Sequence, residues 1–292
     1  MSRTGFLDKT LSAVADVLER AFFSEAFAYQ RGFLQALDIR VKLITFLLII
    51  ILISFLRAPQ TMWLLFGISL ALAAASHIPL RFFLKRVLLF VPLFSAIIVL
   101  PALLNIITPG EPVLTIARLG HARTWGLYTI PQEIAVTRQG LWGGIVFVSR
   151  VSASVSFAAL FLMSAKWGEV FAGLRALFMP RIFVVTLSMT YRYLFVVLRL
   201  IQDMYRARKS RTIRPFSAAV ERNWTASRIG VTFKRSMEMS ADIYQAMLAR
   251  GFHGEFPSIN RLHAAPADYV WLMTVLLFGG ILIVFERKFF LP

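Results

Sequence analysis

The sequence predicts an all-α integral membrane protein, with about five transmembrane helices and a cytoplasmic domain of three more. Three observations predict it. The 292-residue chain is 58% hydrophobic with a mean hydropathy of +0.69, above the range of soluble domains. Its charge-free runs approach the ~20 residues that cross a bilayer as helix. About sixty polar, arginine-rich residues, from Gln202 to Ala265, interrupt those runs.

Composition excludes several functions. The absence of cysteine leaves no disulfide, thiol nucleophile or Cys-based metal site. A net charge of +17 fits loops facing anionic lipid head groups. No recognition module accompanies it, so nucleic acid is not an expected partner. Residues 1–40 form an N-terminal cytoplasmic or interfacial segment. Its charges precede the first apolar run, which does not fit a cleaved signal peptide. Leu7, Leu11, Val14 and Leu18 suit an interfacial helix, or equally a packing helix.

Residues 41–165 carry the first four spans. Leu43–Leu56 is short but bracketed by Lys42 and Arg57, which can snorkel. Thr61–Ile78 is the second run, and Arg81, Lys85 and Arg86 form a basic loop after it. Val87–Thr108 is the third, tolerating Pro92 and Pro101 where neighbours satisfy the freed carbonyls. A polar loop over Pro109–Gln139 leads to the fourth, Gly140–Ala165. Residues 267–292 hold the last, Tyr269–Phe285, framed by Asp268 and Glu286. The excess of basic residues in alternate loops puts the N-terminus inside.

Residues 166–266 are the cytoplasmic domain. Ile182–Ile201 is apolar, but crossing the bilayer would put Arg192 near its midplane and the arginine-rich region outside. It reads instead as a long amphipathic helix running from Pro180 towards Ser210. Lys166–Phe178 precedes it, and a third helix runs from about Ala226 to Arg250, with Gly251 as its C-terminal cap. Two of these helices end on small-Arg corners: Ala207-Arg208-Lys209 and Ala249-Arg250-Gly251. Glycine turns the chain, alanine admits a close backbone, and arginine projects five fixed donors, a set suited to a groove lined by acidic groups or carbonyls. Arg150, inside the fourth run, is a candidate because intramembrane charges are functional by default. Its alternatives are a later helix start or a snorkelling side chain. His77, His121, His253 and His263 show no metal-ligand spacing. No phosphate-binding Gly-x-x-x-x-Gly-Lys-Ser/Thr loop and no catalytic triad occurs. An enzyme acting on lipid or isoprenoid phosphates would need an aspartate-rich motif, which Asp203, Glu221, Glu238 and Asp242 do not make.

The order of features resembles the transmembrane (T) component of energy-coupling-factor (ECF) importers, and most its cobalt-transport branch, CbiQ. The residues that carry it are Leu37-Asp38-Ile39-Arg40-Val41-Lys42-Leu43, Gly140-Leu141, Met179-Pro180, Leu187-Ser188-Met189-Thr190-Tyr191-Arg192-Tyr193 and the two corners. Phe6-Leu7-Asp8-Lys9-Thr10-Leu11 is similar to the start of cobalt-type members. The resemblance implies a non-catalytic coupling subunit in a bacterial or archaeal cytoplasmic membrane. Its partners would be two ABC-type ATPase subunits and a membrane substrate-binding (S) subunit. Two long coupling helices would cross and seat their Ala-Arg-Gly ends in the ATPases. The S subunit would bind the ion, so no metal or cofactor site is expected in this chain. Cobalt or another transition-metal ion is the expected cargo, a vitamin the alternative. Lys209 departs from the pattern where glycine is expected, and Ile39 where proline is common.

Overall fold

The structure, a computed structural model, describes residues 27–30, 32–103, 111–118, 123–125, 128–130, 133–177, 179–212, 218–254 and 265–289. The expected N-terminal amphipathic helix, Phe6–Leu11, His121 and His263 lie outside them. The chain divides into two compact units. One comprises Ser24–Lys166 with His263–Pro292, and the other contains Trp167–Leu262.

Among the described residues, the first unit is built on five long helices: α1 (Ile39–Phe55), α2 (Pro59–Ala75), α3 (Leu80–Leu103), α4 (Arg138–Ser164) and, in the last stretch, Pro266–Phe289, with one helical turn at Phe33–Ala36 ahead of α1. The Asp38 side chain starts α1 by accepting from the Arg40 N–H at 2.8 Å. Pro59 opens α2, where a missing N–H costs nothing. α3 begins seven residues earlier than expected. Arg81, Lys85 and Arg86, read from sequence as a loop, form its first turns, because nothing in Leu80–Arg86 opposes a helix once Pro79 has set the entering chain.

The polar stretch before α4 holds two small antiparallel pairs: β1 (Pro112–Arg118) with β4 (Glu133–Thr137), and β2 (Arg123–Trp125) with β3 (Tyr128–Ile130). Their β-branched and aromatic content accounts for them. They are short pairs beside long helices, so the fold class remains all-α. Thr137 ends β4 and caps α4, its hydroxyl accepting from the Gly140 N–H at 3.1 Å.

α4 is the hub, packing against α1, α2 and α3. Phe46, Ile49 and Ile53 of α1 meet Phe157, Leu160 and Met163 of α4 in one buried cluster with Met62, Leu65 and Phe83. Gly144 lets α3 come close: a Cβ there would meet a Val99 methyl at 2.9 Å. Ser69 and Ser156 hydrogen-bond across α2 and α4 at 3.0 Å, satisfying both hydroxyls in a buried position.

The second unit contains α5 (Trp167–Ala176), α6 (Arg181–Ser210) and α7 (Ala218–Ala249); Pro266–Phe289 is α8. Trp167 and Phe171 of α5 pack on Tyr191, which in turn stacks edge-on to Phe195. α7 starts at Ala218 rather than Ala226, as the helix-favouring Ala-Ala-Val-Glu-Arg run allows. α6 and α7 run antiparallel. Tyr205 meets Trp224 near their connection, while Thr186 and Met247 line the far end of one groove between them. No residue of α6 is buried.

Among the described residues, α4, α6 and Pro266–Lys288 of α8 are long and apolar enough to cross a membrane, and α2 is a shorter apolar helix.

Candidate functional site

The Ala249-Arg250-Gly251 corner is a complete Schellman cap. Gly251 has φ +78°, the left-handed conformation that glycine adopts without penalty. Its N–H donates to the Leu248 carbonyl at 2.9 Å, and the Phe252 N–H donates to the Met247 carbonyl at 3.0 Å. Met247 and Phe252 line the same groove, the apolar contact that accompanies this motif. Ala249, Arg250 and Gly251 are all exposed. The guanidinium is carried on a turn whose backbone is fixed.

The Ala207-Arg208-Lys209 corner is built differently. All three residues belong to the last turn of α6, which ends through Arg211 with a right-handed φ of −99°. Its N–H donates to the Arg208 and Lys209 carbonyls. Arg208 lies over the Trp224 ring of α7, 4.3 Å from its centre, and Arg228 approaches the same ring at 5.6 Å. Trp224 thus holds Arg208 against the neighbouring helix, a contact worth ~0.5–2 kcal/mol. Because α6 and α7 are antiparallel, the two corners sit at opposite ends of the pair. Thr186 and Met247 line the same end of the groove, which puts Arg250 near the start of α6 and the tips roughly 35 Å apart at 1.5 Å rise per residue.

Arg150 has a different role in the geometry. α4 begins at Arg138, so a late helix start does not account for it. Its Nη2 donates to the Leu56 carbonyl, the C-cap of α1, at 2.8 Å. Arg150 is about 18 Å along α4 from Arg138, so the short α1–α2 turn is recessed relative to the start of α4. Leu56 and Ala58 of that turn are buried, and a buried backbone group left unsatisfied is expensive. Glu286 of α8, itself buried, completes the arrangement. Its Oε1 accepts from both the Arg57 and Ala58 N–H groups, the latter at 2.6 Å. Arg150 and Glu286 therefore satisfy the two sides of one turn.

The other end of α1 mirrors this. Lys42, 1% exposed, donates from Nζ to the Ser164 carbonyl at 3.1 Å, the last residue of α4. Each of these antiparallel helices has a C-terminal carbonyl bonded by a cation of the other, where orphan carbonyls and the helix dipole both favour positive charge. Asp268, 3% exposed, accepts from the Asp38 N–H on Oδ1 at 2.9 Å and from the Ala265 N–H on Oδ2 at 2.8 Å. Asp268 meets the start of α1 and Glu286 meets its end, so α1 and α8 run parallel.

From sequence, Asp268 and Glu286 served only as brackets around an apolar run, and Lys42 as a bracket and as part of the stretch that carries the resemblance, with no partner assigned to any of them. The available signal was a charge at the very margin of a run, a place where helix termini need partners. Trp224 carried no signal. Among the described residues, no group of three His, Asp or Glu side chains gathers at metal-binding distance.

Residues 30–260 match CbiQ, described as cobalt transport protein. The chain belongs to the CbiQ family. It is also 32% identical, over 282 residues, to an uncharacterized protein of Methanocaldococcus jannaschii, covering 96% of this chain and 92% of that one. CbiQ proteins are cobalt transport components of the ECF type, a transporter family rather than an enzyme family. With several apolar helices, this member is a multi-pass membrane protein.

Proposed function

We propose that this CbiQ protein is the T subunit of an ATP-driven importer for cobalt or another transition-metal ion. It lies in the cytoplasmic membrane with its N-terminus inside. Five helices, α1 to α4 and α8, span the bilayer, while residues 166–266, including α5 to α7, form the cytoplasmic coupling domain. Two ATPase subunits engage the Ala207-Arg208-Lys209 and Ala249-Arg250-Gly251 corners, and an S subunit carries the ion.

The observation that carries this reading is the pair of long antiparallel helices bearing an arginine corner at each far end. A closing ATPase dimer moves two separated points. Two tips about 35 Å apart on stiff helices can each follow one of them and pass the displacement on. Such coupling needs contacts that differ between the open and closed states. Arg208, held by Trp224 in the free chain, has an alternative partner to exchange with.

Helix parity supports leaving α6 outside the bilayer, although its length and composition would let it cross. α2, α3 and α4 alternate after α1, so the chain returns to the side from which α1 began. α8 runs parallel to α1 and therefore starts on that same side. An even number of crossings must lie between α4 and α8. α7 faces α6 along its length and carries Arg228, Lys234, Arg235, Glu238 and Asp242, which exclude it from lipid. With α7 excluded, the even number is zero.

The test is purification of the whole chain with its ATPase and membrane partners, followed by ATP turnover and cobalt(II) uptake in proteoliposomes. Arg208→Ala with Arg250→Ala is expected to abolish uptake and weaken ATPase co-purification while the helices stay folded. Full transport and normal co-purification in the double variant would refute the assignment.

A further inference from the structure

We infer that Asp38–Thr45 is the joint through which motion of the Trp167–Leu262 unit enters the spanning helices, with Lys42 and Asp268 as its positioning residues. The inference rests on the coupling reading above and adds the point of transmission.

The connections fix where that point can be. The chain leaves the spanning unit at Lys166 and returns to it at His263. Any displacement of the inserted unit must act on the spanning helices through these two passages or through surfaces packed beside them. One short segment of α1 grips the chain beside both. Lys42 holds the Ser164 carbonyl, two residues before the departure. The Asp38 N–H holds Asp268, whose other oxygen holds the Ala265 N–H, two residues after the return. A second layer backs the first. The Thr45 hydroxyl donates to the Lys42 carbonyl at 3.0 Å, and the Trp271 Nε1 of α8 donates to the Thr45 oxygen at 3.4 Å. Within two turns of α1, the ends of α4 and α8 are thus joined to a single rigid element.

The chemistry is more than a passive joint requires. Burying an ammonium group costs several kcal/mol unless it is closely matched. The end of a helix can be capped more cheaply by glycine or a neutral side chain. Two nearly fully buried charges, one on each passage, both fixed to the same five residues of α1, hold the two passages in register. A pull at one passage then shifts α1 together with α4 and α8, rather than fraying one helix end.

The test uses the chain's lack of cysteine. Ala75→Cys on α2 and Ser227→Cys on α7, both exposed, are spin-labelled, and their distance distribution is measured with Lys42→Met or Asp268→Asn added. Lys42→Met removes the donor at similar length. Asp268→Asn cannot accept on both oxygens, so it tests the joint even if Lys42→Met fails to fold. Both variants are also assembled with the co-purifying ATPases for cobalt(II) uptake and ATP hydrolysis. The expected result is a broadened distance distribution and at least a fivefold fall in uptake per ATP hydrolysed, with ATPase co-purification retained. A merely structural role would lower yield but leave the uptake-to-hydrolysis ratio of the surviving complex unchanged. A wild-type ratio in a folded variant therefore overturns the inference. If the unsubstituted chain captures no ATPase, the coupling reading itself fails. The distance distribution then decides alone: unchanged width overturns the joint, and broadening upholds it.

Discussion

Replacing Gly251 by alanine isolates backbone geometry from every other property of the second corner. A Cβ at Gly251 meets nothing within 4 Å, so no clash contributes. What remains is the left-handed φ of +78°, which costs an L-residue about 1–2 kcal/mol relative to glycine. The penalty falls on the capped state, whose markers are the Gly251 and Phe252 N–H bonds to Leu248 and Met247. Since 1.4 kcal/mol is tenfold, opening of the cap should become about 5–30 times more populated. Hydrogen exchange at the Phe252 amide reads this directly, and its rate should rise by that factor while amides in the middle of α7 stay unchanged. Gly251→Asn should lie between, because asparagine visits the left-handed region more readily. If ATPase capture requires the capped turn, its apparent affinity falls by the lost fraction of competent chains. Unchanged exchange at Phe252 in Gly251→Ala would refute the claim that this glycine fixes the corner.

Two further outcomes follow from the geometry. Lys209→Gly brings the first corner closer to the family pattern, yet it should destabilise the end of α6 by about 0.5–1 kcal/mol and not strengthen ATPase capture, because Lys209 lies within the helix; local exchange and pull-down yield check this. Glu286→Gln should cost under about 1 kcal/mol, since one oxygen receives both amides, whereas Glu286→Ala should cost about 2–4 kcal/mol by orphaning two buried donors, as measured by thermal unfolding in detergent.

The sequence carried the helical layout well where composition changes sharply. Arg181–Ser210 and Arg138–Ser164 start and stop within a few residues of where Pro180, Gly140 and Ala165 mark them. Gly251 was legible because glycine after a helix has one common use. Boundaries failed where polar residues continue a helix, as at Arg81–Arg86 and Ala218–Thr225, because charge patterning says nothing about backbone continuity. The strand pairs at 112–137 were hidden inside a stretch whose polarity dominated the reading. Within the candidate site, the position of Arg208 was readable but its contact with Trp224 was not, since the two come together only when α6 and α7 turn back on each other. Arg150 was conspicuous in the sequence for its charge. Its partner, a carbonyl at Leu56, has no letter in the sequence at all.

The placement of α8 beside α1 has a consequence for biosynthesis. The carboxylates that receive the Asp38, Arg57 and Ala58 amides arrive with the last apolar helix, some 230 residues behind their donors. While a ribosome is still translating the intervening segments, the turn between α1 and α2 has the Arg57 and Ala58 donors waiting. The seam along α1 therefore closes only when α8 arrives, and a chain arrested before Glu286 would present it open and hydrogen-bond-hungry to quality-control proteases.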